Sequence, residues 1–97
     1  MRKIPSRFSL MGHEITVSRR EDLVEDLEVY GRWFQSRNLI EVQADHPDFS
    51  KDVLMQTFWH EAVHAALDTL GYTELSCDEE FVDRLGQAIH QIIKTKR

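Results

Sequence analysis

The chain has 97 residues, enough for one domain and too few for two. Hydrophobic residues make up 41% and charged residues 30%, the balance of a folded globular protein rather than a disordered one. A formal net charge of -5 argues against a nucleic-acid partner, and no stretch approaches the ~20 apolar residues of a membrane span.

The start, Met1-Arg2-Lys3-Ile4-Pro5, is basic but lacks the apolar run of a signal peptide. Cys77 is a lone cysteine, unable to build an internal disulfide and expected to be a half-buried thiol. Both features point to a reducing, cytoplasmic setting, such as a phage or bacterial cell. Residues 8–17 read as a strand or hairpin, with Met11-Gly12-His13 as the turn and Ile15 and Val17 alternating with Thr16. The charged stretch 18–28 reads as loop or short helix, since Leu23, Val24 and Leu27 fall at helical spacing; the Arg19-Arg20 pair reads as solvated. Tyr30, Trp33 and Phe34 make 29–35 a second strand, and Ser36-Arg37-Asn38 a turn. Residues 39–44 form a third strand, with Leu39 or Ile40 and Val42 as core candidates, ended by Asp45-His46-Pro47-Asp48.

A long helix follows, capped by Ser50 or Asp48 and stopped by Gly71, with about twenty residues between them free of Pro and Gly. Met55, Trp59, Val63, Ala66 and Leu70 make one apolar face; Leu54, Phe58, Ala62 and Ala65 make an adjoining one. So wide an apolar arc belongs to a central, buried helix. A second helix spans about 78–94, with Ser76 and Glu79 matching a Ser-x-x-Glu capping box and Val82, Leu85, Ile89 and Ile92 as its core stripe. The fold expected is therefore a single α+β domain over residues 1–97. Residues 1–46 are mainly strands, in a small antiparallel sheet of about three, and 48–97 contribute two helices.

Within the first long helix stands His60-Glu61-Ala62-Val63-His64. Residues four apart share one helical face, with Cβ atoms about 5–6 Å apart, so both imidazoles can reach one tetrahedral zinc. Glu61 points about 100° around the axis. It is poorly placed to ligate the same ion, yet can reach a water in the open coordination position, where a general base belongs. A catalytic zinc needs a third protein ligand, and the candidates follow the Gly71 turn: Asp78, Glu79, Glu80 and, less readily, Cys77. Antiparallel docking of the second helix brings its first turn near the histidines. Glu79 lies on a flank with Asp83 and Gly86: glycine permits close helix approach, and Asp83 can orient a ligating histidine through its other ring nitrogen. Glu80 is followed one turn on by Arg84, an exposed-pair pattern. Glu79 is preferred, with Glu80 the alternative.

His60-Glu61-x-x-His64 followed by Cys77-Asp78-Glu79-Glu80-Phe81-Val82-Asp83 resembles the glutamate zincins, and the short length resembles their minimal members, the minigluzincins. The stretch from Thr57 to Val82 also looks like small metallopeptidase-like proteins encoded by phages. The resemblance covers the C-terminal half by motif and the N-terminal half only by order of elements. It implies a small antiparallel sheet before the active-site helix, and one zinc per chain held by His60, His64 and Glu79. It also implies Asp83 beside a histidine ligand, and Glu61 as the base of a peptide hydrolase. Larger zincin peptidases often have a further His or Tyr for the oxyanion; Tyr72, His13, His46 and His90 are present, but none sits in a matching motif. Activity is then expected to be weak or partner-dependent, because a missing oxyanion donor costs several kcal/mol of transition-state stabilisation, about 3–4. The expected partner is a peptide or protein substrate, added as a strand beside the 39–44 edge. The alternative is a non-catalytic, zinc-stabilised regulatory or protein-binding domain. A third reading is a subunit whose helix faces simply pack.

Overall fold

In the computed structural model residues 3–97 are described; Met1 and Arg2, the start of the basic N-terminal run, lie outside them. Strands β1 (Arg7–Leu10) and β2 (His13–Arg20) form an antiparallel hairpin, with Leu10 opposite His13. Met11 and Gly12 both take positive φ, 51° and 81°, the twist that a two-residue hairpin turn requires. Strand β2 runs further than the charged composition suggested and takes in Arg19, which is exposed as expected, and Arg20, which is half-buried. Arg19 donates to the Ile4 carbonyl, and Arg20 pairs with Asp22 and Glu41. A one-and-a-half-turn helix, α1 (Leu23–Leu27), buries Leu23 and leads to β3 (Gly31–Phe34). A 3₁₀ turn, Gln35–Arg37, closed by Asn38 at φ 46°, reverses the chain into β4 (Leu39–Gln43).

The α+β class holds, but the sheet has four strands and is mixed. Its order is β1-β2-β4-β3, and β2 pairs with β4 in parallel. Strand β4 is therefore interior, hydrogen-bonded on both sides, and offers no edge to a substrate; the free edge on this side is β3. The composition of β4 explains its place. Ile40 and Val42 face the core, while Glu41 and Gln43 are also buried, on the opposite face. Gln43 accepts from the Val24 amide and donates to the Glu21 carbonyl, fastening α1, and Glu41 sits between Arg20 and Arg32. These buried polar groups are satisfied, as burial demands.

Helix α2 (Lys51–Leu70) lies on the core face of the sheet. The Ser50 hydroxyl accepts from the Val53 amide at its start, and Gly71, at φ 89°, ends it. Phe58 and Ala65 pack with Ile15, Val17, Ile40 and Val42, while Val63 and Leu67 turn to the last helix. Val63 thus belongs to a different face from Met55 and Trp59, and Leu70 is half exposed. A four-residue helix, α3 (Thr73–Ser76), precedes α4 (Glu79–Thr95). The Ser76–Glu79 capping box does not form: Asp78 caps α4 through the Phe81 amide.

Helix α4 meets α2 along Val82, Gly86 and His90, with Ile89 packed beside them, so the expected stripe holds at Val82 and Ile89 and fails at Leu85 and Ile92. Leu85 is partly exposed, and Ile92 is 61% exposed. Gly86 decides this line of contact: a Cβ there would stand 3.1 Å from the backbone N and Cα of His60. At the other end Asp52, in the first turn of α2, takes His90 Nε2 at 3.0 Å and Lys94 Nζ at 3.1 Å. These bonds, that to Lys94 foremost, hold the Asp52 carboxyl below its usual range. The two helices are thereby locked antiparallel, which carries the first turn of α4 to the middle of α2. No described helix is long and apolar enough to cross a membrane.

Candidate metal centre

Helix periodicity puts His60 and His64 on the same side of α2, with ring centroids 5.1 Å apart. Glu79, the first residue of α4, reaches across to both. Its Oε1 lies 2.9 Å from His64 Nε2 and its Oε2 lies 3.3 Å from His60 Nε2. One ligand atom from each of the three lies within 4.8 Å of the others. Ligands at zinc bond lengths of about 2.0–2.1 Å stand roughly 3.3 Å apart around a tetrahedron, so the cluster has the size of a single site. Glu80 turns away to Arg84, at 3.1 Å. The structure thus brings together His60, His64 and Glu79, and leaves Glu80, Asp78 and Cys77 outside the cluster. Cys77 is exposed rather than half-buried.

The other ring nitrogens are also engaged. His60 Nδ1 lies 3.2 Å from Asp83 Oδ1, and His64 Nδ1 lies 3.1 Å from the Ser76 hydroxyl. Asp83 occupies the position expected of an orienting group. Ser76, read from sequence as a cap, is instead turned to His64 by the one-turn helix α3; a lone serine in a turn gives no signal of that. The chemistry of the donor set follows from proton counting. A neutral imidazole carries one N–H, and a carboxylate beside Nδ1 draws it there. The Nε2 lone pair of His60 then faces the Glu79 carboxylate, an unfavourable meeting unless a proton or a cation lies between them. Two imidazoles and one carboxylate sharing a point suit a divalent ion of the zinc kind.

Glu61 stands beside this cluster with no hydrogen-bond or ion-pair partner among the described residues and only 8% of its surface exposed. Burial pushes its carboxyl up to about 7; His60 works against that shift and the Glu79 charge adds to it. With His60, Glu79 and Asp83 it lines a cleft of about 510 Å³ whose far wall is Val29, Tyr30 and Gly31 at the start of β3. The carboxyl is therefore a buried group aimed into open space, a position suited to proton transfer near neutral pH.

Gly31 was not singled out by the sequence, where a lone glycine beside Tyr30 carries no signature. In the structure it is where β3 sits on α2: an added Cβ would lie 2.9 Å from Thr57 Cγ2 and 3.1 Å from both Glu61 Cγ and the Glu41 carbonyl oxygen. Further along, Trp33 Nε1 donates to Asp68 at 2.9 Å, a second pin between strand and helix. Gly31→Ala is expected to lower stability by about 1–3 kcal/mol through overpacking. Thr57→Ser, which removes the nearest methyl, should recover part of that loss in the double variant. Thermal unfolding of the four proteins of the cycle measures the coupling, and strictly additive effects would remove this contact as the cause.

The remaining candidates for oxyanion stabilisation are engaged or distant. His46 is held by Glu25 and by the Asp48 amide, His90 by Asp52, His13 belongs to the hairpin at the opposite side of the sheet, and Tyr72 is exposed. None of them lines the cleft, and no Lys or Arg does. No family model matches the chain, and neither a curated protein nor a solved structure matches it.

Proposed function

We propose that this chain is a zinc-dependent peptide hydrolase. The observation that carries the reading is the joint placement of two imidazoles, a carboxylate from a second helix and the unpartnered Glu61 on one cleft. His60, His64 and Glu79 would hold the ion, with Asp83 and Ser76 fixing the two rings. A zinc ion there supplies Lewis acidity, polarising a scissile carbonyl and acidifying a water. Glu61 takes the proton from that water and returns it to the leaving amine, so that water is added across the C–N bond and the carboxyl ends as it began. An extended peptide reaches the cleft by pairing with the free edge of β3, whose N-terminal end forms the opposite wall.

One observation favours the non-catalytic alternative: the cleft wall carries no Arg or Lys to stabilise an oxyanion, and its one aromatic hydroxyl is that of Tyr30. The two readings part on one experiment. Zinc-loaded protein incubated with a mixed peptide library should give fragments detectable by mass spectrometry. The cleavage should stop on chelation and return with one equivalent of zinc. A chelator should lower the melting temperature under either reading, since a bound ion stabilises the folded state. A full library left intact by the zinc-loaded protein would make the site a structural or regulatory one.

A further inference from the structure

The cleft contains residues that the proposed hydrolysis does not use. Glu28 closes α1 with φ 57°, its amide bonded to the Leu23 and Val24 carbonyls, so its backbone is fixed. Glu28 lines the cleft as an exposed residue, and its carboxylate has no ion pair or hydrogen bond among the described residues. Tyr30 stands beside it and Val53 faces them from α2, 47% and 43% exposed. The Tyr30 ring is held edge-on against Phe49, with centroids 5.2 Å apart. The acids that line the cleft are Glu28, Glu61, Glu79 and Asp83. A dication would offset two of those charges and leave the wall negative, with Glu28 the one acid far from the histidines in role. Glu61, more than nine-tenths buried and unpartnered, marks the cleft independently as a place built to face a ligand.

An aliphatic stem ending in a cation fits this combination. Lysine and arginine lay their methylenes on apolar surface and keep the charge at the tip. The tip can pair with a carboxylate and lie against a tyrosine ring. An aliphatic or aromatic side chain would match Tyr30 and Val53 but leave Glu28 unused; an acidic one would be repelled. We propose that the cleft selects peptides bearing a lysine or arginine beside the bond presented to His60, His64 and Glu79, with Glu28 receiving the cation. The peptide nature of the ligand rests on the hydrolase reading; the preference for positive charge does not.

The test uses three fluorescently labelled pentapeptides, otherwise uncharged and identical, with Lys, Leu or Glu at the centre. Their affinities for the zinc-loaded protein are read by anisotropy, and cleavage of the same samples by mass spectrometry. The Lys peptide should bind roughly five- to tenfold more tightly than the Glu peptide, the scale of one partly screened ion pair against one repulsion. The gap should narrow as salt rises. Glu28→Lys should erase or invert the preference. Glu14→Lys makes the same change of net charge on the hairpin at the far side of the sheet, and should preserve it. Equal binding of all three peptides, tighter binding of the Leu peptide, absence of binding to any, or a preference unchanged in Glu28→Lys would each overturn the proposal. Selective binding without cleavage would leave this inference standing and remove the hydrolase; cleavage without selectivity would do the reverse.

Discussion

His60→Ala and His64→Ala are each expected to abolish tight zinc binding, and Glu79→Ala to weaken it by well over the 10–100-fold that losing even a ligand's hydrogen-bond partner costs. Glu80→Ala should leave affinity within a few-fold, because Glu80 is engaged with Arg84 on the exposed side of α4. Asp83→Ala should fall between, near 10–100-fold, through the lost bond to His60 Nδ1. The order Glu79, Asp83, Glu80 is the content of the prediction. Competition with a chromophoric chelator measures it, at a temperature where circular dichroism shows each variant folded. Glu79 does not cap α4, since Asp78 does, so Glu79→Ala removes no cap bond. Stoichiometric zinc retained by His60→Ala and His64→Ala would dispose of the metal centre, and a larger loss from Glu80→Ala than from Glu79→Ala would move the third ligand.

The helical half was legible because its signals are local. His60 and His64 four apart, Ser50 and Gly71 at the helix ends, and Glu79, Asp83 and Gly86 on one flank all follow from 3.6-residue periodicity. Gly86 went further, since it implied the close crossing that places Glu79 over the histidines. The errors came where distant parts of the chain decide. The sequence 39–43 alternates in a way that suggests one buried face, yet β4 buries both. Its second face is covered by α1 and by arginines from β2 and β3. Nothing local to 39–43 announces that, nor the parallel pairing with β2 that makes it interior.

The site divides in the same manner. Residues on α2 and α4 were found, whereas those supplied from elsewhere were not. Ser76 satisfies a cap pattern on paper, but Asp78, two residues on, accepts from the Phe81 amide and frees Ser76 for His64. Gly31 enters the cleft because β3 is the edge strand lying along α2, and Glu28 and Tyr30 because they end α1 and lead into that strand. The apolar stripe of α4 was right at Val82 and Ile89 and wrong at Leu85 and Ile92, by the same logic. Val82, Leu85, Ile89 and Ile92 satisfy periodicity, but the contact through Gly86 rotates the helix so that His90, paired with Asp52, is buried in preference to Ile92.

Glu61→Gln should keep zinc while losing hydrolysis by a factor of about 10²–10⁴, the usual cost of removing a general base. The same variant should reveal itself without any substrate, through stability. Burial raises the Glu61 carboxyl from 4.5 to about 7 in the folded, metal-free chain. At pH below 4.5 the group is protonated in folded and unfolded chains alike, and its burial carries no charge penalty. Between 4.5 and about 7 the unfolded chain gives up the proton first, so unfolding is progressively favoured as pH rises. Above about 7 both forms are ionised and the penalty stays constant, on the order of 3 kcal/mol for a shift of this size. Glutamine carries no such penalty. In the presence of chelator, therefore, Glu61→Gln should be more stable than wild type at pH 8, and the difference should close towards pH 4. Groups distant from Glu61 titrate alike in both proteins and cancel in the difference. Adding zinc should shrink the gap at pH 8, because a nearby dication favours the ionised carboxylate. Urea unfolding of the two proteins across this pH range, with and without zinc, measures all three effects. A difference independent of pH would mean that Glu61 is not a buried acid, and equal hydrolysis by the two proteins would remove it as the base.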